Sequence, residues 1–227
     1  MSFKKCFNHL KWNLSYDDLL VENTTNGRTY ITPSGSRYPS VTTVLGELSK
    51  ESIATWRARI GYEEANRISS KAASRGTQLH TVAERYINNE SEYLRSQMPH
   101  VIELFRSIQP ILDSNIDNIH AQEIALFSDQ LKIAGRVDCI AEYDGVLSII
   151  DYKTSSKPKK VEWIESYFMQ TAFYAAAYYE QTNIPITQSV IVIAVEANEP
   201  QVFIQPTYLW LPKLLRARND YTKKYSI

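Results

Sequence analysis

Apolar residues follow one rhythm before Asn118 and another after it. In the first half they recur every three or four residues, which predicts helices with one buried face. Ile53, Trp56, Ile60, Ala65 and Ile68 keep that spacing across residues 53–68, and Gly61 weakens the middle enough to allow two shorter helices. Residues 72–88 predict a further helix whose apolar face is Leu79, Val82, Ala83 and Tyr86, and residues 99–112 predict another. Upstream, residues 28–40 (RTYITPSGSRYPS) are rich in turn formers and predict an extended segment or small hairpin. Ser40 then caps a helix from Val41, with Thr42 and Thr43 in its first turn.

In the second half the period falls to two. Residues 121–128 and 131–143 predict strands joined at Asp129-Gln130, and residues 146–153 predict a third behind the hairpin signal Asp144-Gly145. Residues 161–181 predict a helix, 188–197 and 201–205 two more strands, and 207–225 a closing helix. Such an order belongs to an α/β or α+β domain whose sheet is covered by helices.

Composition narrows this only a little. The chain has 227 residues, with Lys+Arg and Asp+Glu equal at 25 each, so bulk charge names no partner. Local basic groups at Arg57 and Arg59, Lys71 and Arg75, 157–160 and 213–218 are solvated faces or phosphate contacts. No apolar run approaches the roughly 18 residues of a membrane span, and the N-terminal stretch lacks the marks of a signal or transit peptide. Two cysteines make neither a disulfide framework nor a cluster site. A reducing, cytoplasmic setting is the expectation.

The hairpin concentrates the chemistry. With Asp144-Gly145 as the loop, Tyr143 pairs with Val146, and counting back sets Asp138 opposite Asp151. Cβ atoms at such positions lie roughly 4.5–5.5 Å apart, where like charges repel. Lys153 shares the face of Asp151. A two-residue turn at Asp129-Gln130 sets Glu123 opposite Arg136 and diagonal to Asp138, as a cross-strand ion pair or as a further acid at a metal. Charges that interrupt apolar strands are costly unless compensated; a hard divalent cation such as Mg²⁺ would compensate these, the alternative being that Lys153 simply neutralises one aspartate. Lys153 then serves as a base for water or as a stabiliser of charge on phosphate.

Two helices could roof this face. Trp163, Tyr167, Gln170, Tyr174 and Tyr178 share one side of the predicted 161–181 helix, beside an apolar side of Ile164, Phe168, Ala172, Ala175 and Tyr179. Gln170 and Tyr174, one turn apart, are within reach of a substrate phosphate or a metal-bound water. His80, with Glu84 one turn on, is a structural or solvated histidine unless its helix packs over the carboxylates, where it would complete a metal shell.

In chain order, His80, Glu123, Asp138 in GRVD, the Asp151-Tyr152-Lys153 element and the Gln170/Tyr174 pair (QxxxY) resemble the PD-(D/E)XK nuclease superfamily, in its RecB-like branch. The segment TPSGSRYPSVTTVL and the strand end VEANEP further resemble the mitochondrial genome maintenance exonuclease group and its phage-encoded relatives. The resemblance implies an α/β fold, a central mixed β-sheet flanked by helices in a restriction-endonuclease-like core, with a helical N-terminal half. Residues 1–70 would contribute to DNA binding and 71–227 would form the nuclease core. It implies a Mg²⁺- or Mn²⁺-dependent DNA exonuclease preferring single-stranded ends. His80, Asp138 and Asp151 would hold the metal, Lys153 would assist the attacking water, and Gln170 and Tyr174 would contact the strand, with Glu123 in the catalytic set. Two cysteines preclude the iron–sulfur cluster of some relatives. Local chemistry and resemblance together add Ser40, Thr42, Thr43, Trp56 and Arg57 as DNA contacts. Other replication or recombination proteins are further expected partners, and the missing transit peptide favours a phage or bacterial source. Alternatives are a structure-specific or flap endonuclease and a catalytically silent DNA-binding module.

Overall fold

In a computed structural model, residues 5–11 and 14–225 are described. Residues 1–4, 12 and 13, part of the stretch read above for a leader, lie outside them.

Strands β1 (Leu20–Thr24), β2 (Gly27–Ile31) and β3 (Arg37–Pro39) form a small antiparallel sheet where a hairpin was expected. Helix α1 (Val41–Gly46) follows, capped by Ser40, whose side chain accepts the Thr43 N–H. Helix α2 (Lys50–Ile60) stops at Gly61, where φ is +89°, and α3 (Tyr62–Ile87) begins there. The expected gap between residues 68 and 72 is absent. Ser69 to Lys71 lack apolar spacing but contain no helix breaker, so α3 runs through them and across residue 70. Helix α4 (Pro99–Asn115) starts with proline in its first turn, where a missing N–H costs nothing.

The larger sheet is ordered β4 (Ile116–Ser128), β5 (Ile133–Tyr143), β6 (Val146–Ser155), β7 (Gln188–Val195), β8 (Gln201–Pro206). Neighbours are antiparallel except β6 and β7, which are parallel because α5 (Glu165–Thr182) carries the chain back across the sheet. This is the expected mixed α/β sheet flanked by helices. Ile149, Ile191 and Ile193 face a core shared with α1, α5 and α6 (Leu211–Tyr225), while Ile150, Val190 and Val192 face a second core under α3 and α4. Burial on both faces explains why β7 is apolar at nearly every position.

Further boundaries differ from expectation. The β4–β5 turn spans residues 129–132, with Ser128 facing Ile133, not a two-residue loop. Glu180 of α5 accepts the N–H groups of Asp129 (2.8 Å) and Gln130 (3.3 Å), a tertiary cap that no local signal announces. Residues 161–163 form a 3₁₀ turn outside α5, so Trp163 does not belong to that helix's face, and Tyr179 on its supposed apolar side is exposed. β4 also starts earlier than expected, at Ile116, and α6 begins only after a 3₁₀ turn at 207–209. Among the described residues, no helix is long and apolar enough to cross a membrane.

Candidate active site

The hairpin register is as counted: Asp144 and Gly145 take left-handed φ values (+52° and +75°), the pattern of a type I′ turn, and Tyr143 faces Val146. The β5–β6 ladder ends at Cys139–Ile150, one step before the two aspartates would meet. There Asp138 Oδ2 accepts the Tyr152 N–H at 2.9 Å, so a carboxylate takes the place of a ladder carbonyl. Asp138 Oδ1 lies 3.3 Å from His80 Nδ1. α3 delivers this histidine because Leu79, Val82, Ala83 and Tyr86 bury their side of the helix in the second core, and the Tyr152 ring meets the imidazole edge-on.

Glu123 is not opposite Arg136. With the longer turn, Arg136 faces Ala125 and Glu123 comes level with Asp138, in a left-handed conformation at φ +48°. Arg136 forms its ion pair with Asp18 and donates to the Glu123 carbonyl oxygen, so the expected cross-strand pair does not form. Ligand atoms of His80, Glu123 and Asp138 all lie within 4.8 Å of one another. Asp151 is buried beside them, with Oδ2 in ion contact with Lys153 and Oδ1 without a partner.

The titration behaviour is that of a crowded acidic site. Burial raises Asp138, but His80 outweighs it and holds the carboxyl below its usual range. Burial pushes Asp151 up against the pull of Lys153. Burial, then Asp138, pushes Glu123 up to about 7. Burial lowers His80, but Asp138 overrides this and brings it to about 9. Burial likewise opposes the Lys153 charge, and Asp151 and Asp138 outweigh it and raise the amine. A buried, unpartnered Oδ1 on Asp151 and a carboxyl driven to hold its proton on Glu123 are the marks of an oxygen-rich site short of positive charge. The two carboxylates and one imidazole of the His80–Glu123–Asp138 group, with Asp151 buried nearby, fit a hard divalent cation.

Gln170 and Tyr174 are both buried on α5. Tyr174 donates to the Arg136 carbonyl at 2.6 Å, and Gln170 Nε2 donates to the Tyr174 hydroxyl at 3.3 Å. Gly135 lets the ring approach, since a Cβ there would meet Tyr174 at 3.0 Å. Tyr167, one turn before Gln170, brings its ring to 5.1 Å from Lys153 Nζ. Its place on the same helical side was legible, though its pairing with Lys153 was not.

These groups open into a trench of about 1040 Å³, walled by α1, α3 and the start of α5. Ser40 and Thr42 line it, but the Ser40 hydroxyl is already shared with those of Thr42 (2.9 Å) and Thr43 (2.8 Å). Thr43 turns to the Arg28 backbone. Trp56 and Arg57 sit on α2 away from the trench lining, and Arg57 donates to Asn66 at 2.8 Å. The structure thus gathers His80, Glu123, Asp138, Asp151, Lys153, Gln170 and Tyr174, and leaves Trp56 and Arg57 apart from them.

A family model of the PD-(D/E)XK nuclease superfamily matches residues 53–207. The chain belongs to that superfamily. It is 29% identical over 209 residues to mitochondrial genome maintenance exonuclease 1 of Homo sapiens, covering 82% of this chain and 58% of that protein. The Mus musculus protein of the same name is 26% identical over 205 residues (82% and 59%), and the Xenopus tropicalis protein is 33% identical over 128 residues (52% and 36%). The chain spans under three fifths of the length of each of these relatives.

Proposed function

We propose that this site hydrolyses phosphodiester bonds of DNA as an exonuclease acting on single-stranded ends, with Mg²⁺ or Mn²⁺ held by His80, Glu123, Asp138 and Asp151. The observation that carries the reading is the His80–Glu123–Asp138 cluster and Lys153 at the floor of an open trench, with the buried Asp151 behind them in ion contact with Lys153. When bound, the cation supplies Lewis-acid polarisation and charge neutralisation at the scissile phosphate. His80, anchored by α3, and Asp138, fixed by the Tyr152 N–H, are oriented before any substrate arrives. Lys153 is held in its charged form by two aspartates, which suits a donor to a phosphate oxygen better than a proton acceptor. Gln170 and Tyr174 form a buttress that sets the β5 backbone and presents the amide to a strand in the trench. Residues 1–70 contribute the α1 wall and further DNA contacts, with Ser40, Thr42, Thr43, Trp56 and Arg57 among them, while 71–227 make the nuclease core. Both cysteines are free, in keeping with a reducing compartment such as the cytoplasm of a phage host, where other replication or recombination proteins would be its partners.

The test is a time course on 5′- and 3′-labelled single strands, with and without Mg²⁺ or Mn²⁺, beside a circular single strand. Cation-dependent loss of the linear strand with the circle intact is expected, as is a fall of at least ~100-fold for Asp151→Ala or Lys153→Ala. Digestion of the circle would instead mark a structure-specific or flap endonuclease. Undiminished hydrolysis by both variants would overturn the site.

A further inference from the structure

Between β6 and α5, the segment 156–164 carries Lys157, Lys159, Lys160 and Trp163, none of which the hydrolytic groups require. Its backbone is pinned at several points. Ser155 Oγ donates to the Lys157 carbonyl (2.6 Å) and accepts the Lys157 N–H (3.3 Å). Gln201, the first residue of β8, grips Lys159 from both sides, accepting its N–H at 2.6 Å and donating to its carbonyl at 3.0 Å. The 3₁₀ turn closes with Trp163 N–H donating to the Lys160 carbonyl (3.0 Å), and the next residue, Ile164, is buried in the core.

This rigid segment holds a tryptophan in the open. Trp163 is 62% exposed and lines the trench, with Lys160 Nζ 5.5 Å from its ring. By contrast, Trp210 is buried and stacked on Phe168 at 5.0 Å, which is how this fold uses a tryptophan for packing. Further along the same wall stands Tyr167 with Lys153 over its ring. Two cation–aromatic pairs therefore succeed one another, Lys160 with Trp163 and then Tyr167 with Lys153, the last at the floor of the site. Aromatic faces interleaved with ammonium groups are complementary to a strand of unpaired bases and phosphates.

We propose that the 156–164 segment is a base-stacking subsite for single-stranded nucleic acid, in which Trp163 takes the face of an unpaired base and Lys157 and Lys160 neutralise neighbouring phosphates. It rests on the nuclease reading and supplies its strand selectivity. In a duplex the base faces are already stacked on one another, so the platform has nothing to receive.

Binding of short fluorescent oligo(dT) to the whole chain, followed by anisotropy in EDTA, tests this without any turnover. Trp163→Ala is expected to weaken binding about 5- to 150-fold, the range that ~1–3 kcal/mol per stacked base corresponds to. Trp163→Phe, which keeps a smaller π-face, is expected to retain most of the affinity. A strand of abasic units of equal length is expected to bind wild type and Trp163→Ala alike. The double variant Lys157→Ala/Lys160→Ala is expected to reduce the slope of log affinity against log salt by about 1.4, or roughly 0.7 per lost phosphate contact. Wild-type affinity in Trp163→Ala overturns the subsite, as does a deficit that persists on the abasic strand. If the wild-type chain binds in this way but hydrolyses nothing, the nuclease reading fails and the subsite stands; hydrolysis with unaltered binding by Trp163→Ala does the reverse.

Discussion

Gly135 offers a test of the packing beneath the Gln170–Tyr174 pair. Its φ is not left-handed, so glycine is required there for space alone. A Cβ would lie 3.0 Å from Tyr174 Cε1, 3.1 Å from its hydroxyl and 3.1 Å from Val41 Cγ1, inside the ~3.5–4.0 Å optimum for carbon atoms. The ring cannot step aside freely, because its hydroxyl is bonded to the Arg136 carbonyl. Overpacking of this kind costs ~1–3 kcal/mol, offset by ~0.4–1 kcal/mol from a stiffer unfolded chain. The net for Gly135→Ala is a loss of ~0–2.6 kcal/mol, or a Tm lower by up to ~10 °C for a chain of this size. Gly76, in the interior of α3 with no atom within 4 Å of an added Cβ, is the matched control. There the same substitution is expected to stabilise by up to ~1 kcal/mol. Thermal unfolding followed by circular dichroism reads both. In a double-mutant cycle with Tyr174→Phe, which removes one of the close contacts, the combined loss is expected to fall below the sum of the single losses. Equal stabilisation by the two alanines would refute the steric argument, and strict additivity with Tyr174→Phe would refute the assigned contact.

Three further outcomes follow from the geometry. Mn²⁺ at about 100 times its Kd is expected to add ~2.7 kcal/mol and raise Tm by ~5–11 °C, an effect that Asp138→Asn should remove; no shift in wild type at millimolar ion would contradict the ligand set. Arg75 is nearly buried in ion contact with the half-exposed Glu196, its 2.5 Å bond tying α3 to the end of β7. Glu196→Ala, which strands the guanidinium, is expected to cost ~1–3 kcal/mol, less than a fully buried pair, and more than Arg75→Met, and urea titration showing the reverse order would sink that account. Glu47 is lowered from 4.5 to about 2 by Lys224, then Lys50 and Tyr225. A depressed carboxyl contributes stability above its unfolded value and loses it as pH falls, so the Tm advantage of wild type over Glu47→Gln is expected to shrink between pH 4.5 and 2. For a surface network that advantage is at most ~1 kcal/mol, and one that held constant through this window would exclude the linkage.

The sequence by itself determined the features whose causes are local. Asp144-Gly145 can adopt two left-handed residues, and that fixes the β5–β6 register and brings Asp138 and Asp151 to the same level. Ser40 has a hydroxyl to accept the Thr43 N–H, and Gly61 breaks the α2–α3 run at the expected place. The alternation that puts Asp151 and Lys153 on one face is a property of any strand.

What only the tertiary structure decided depends on groups far apart in the chain. The β4–β5 turn is long because Glu180, about fifty residues on, caps it. That shift of register moves Glu123 from Arg136 to Asp138, and Arg136 is free to hold the Glu123 carbonyl because Asp18 takes its charge. His80 reaches Asp138 only because α3 packs on β6. Hydrogen bonds and apolar spacing within a few residues are written along the chain, whereas the meeting of charges from separate elements is settled by which faces bury against each other. A site built from several elements is therefore legible as a list of residues before it is legible as a place.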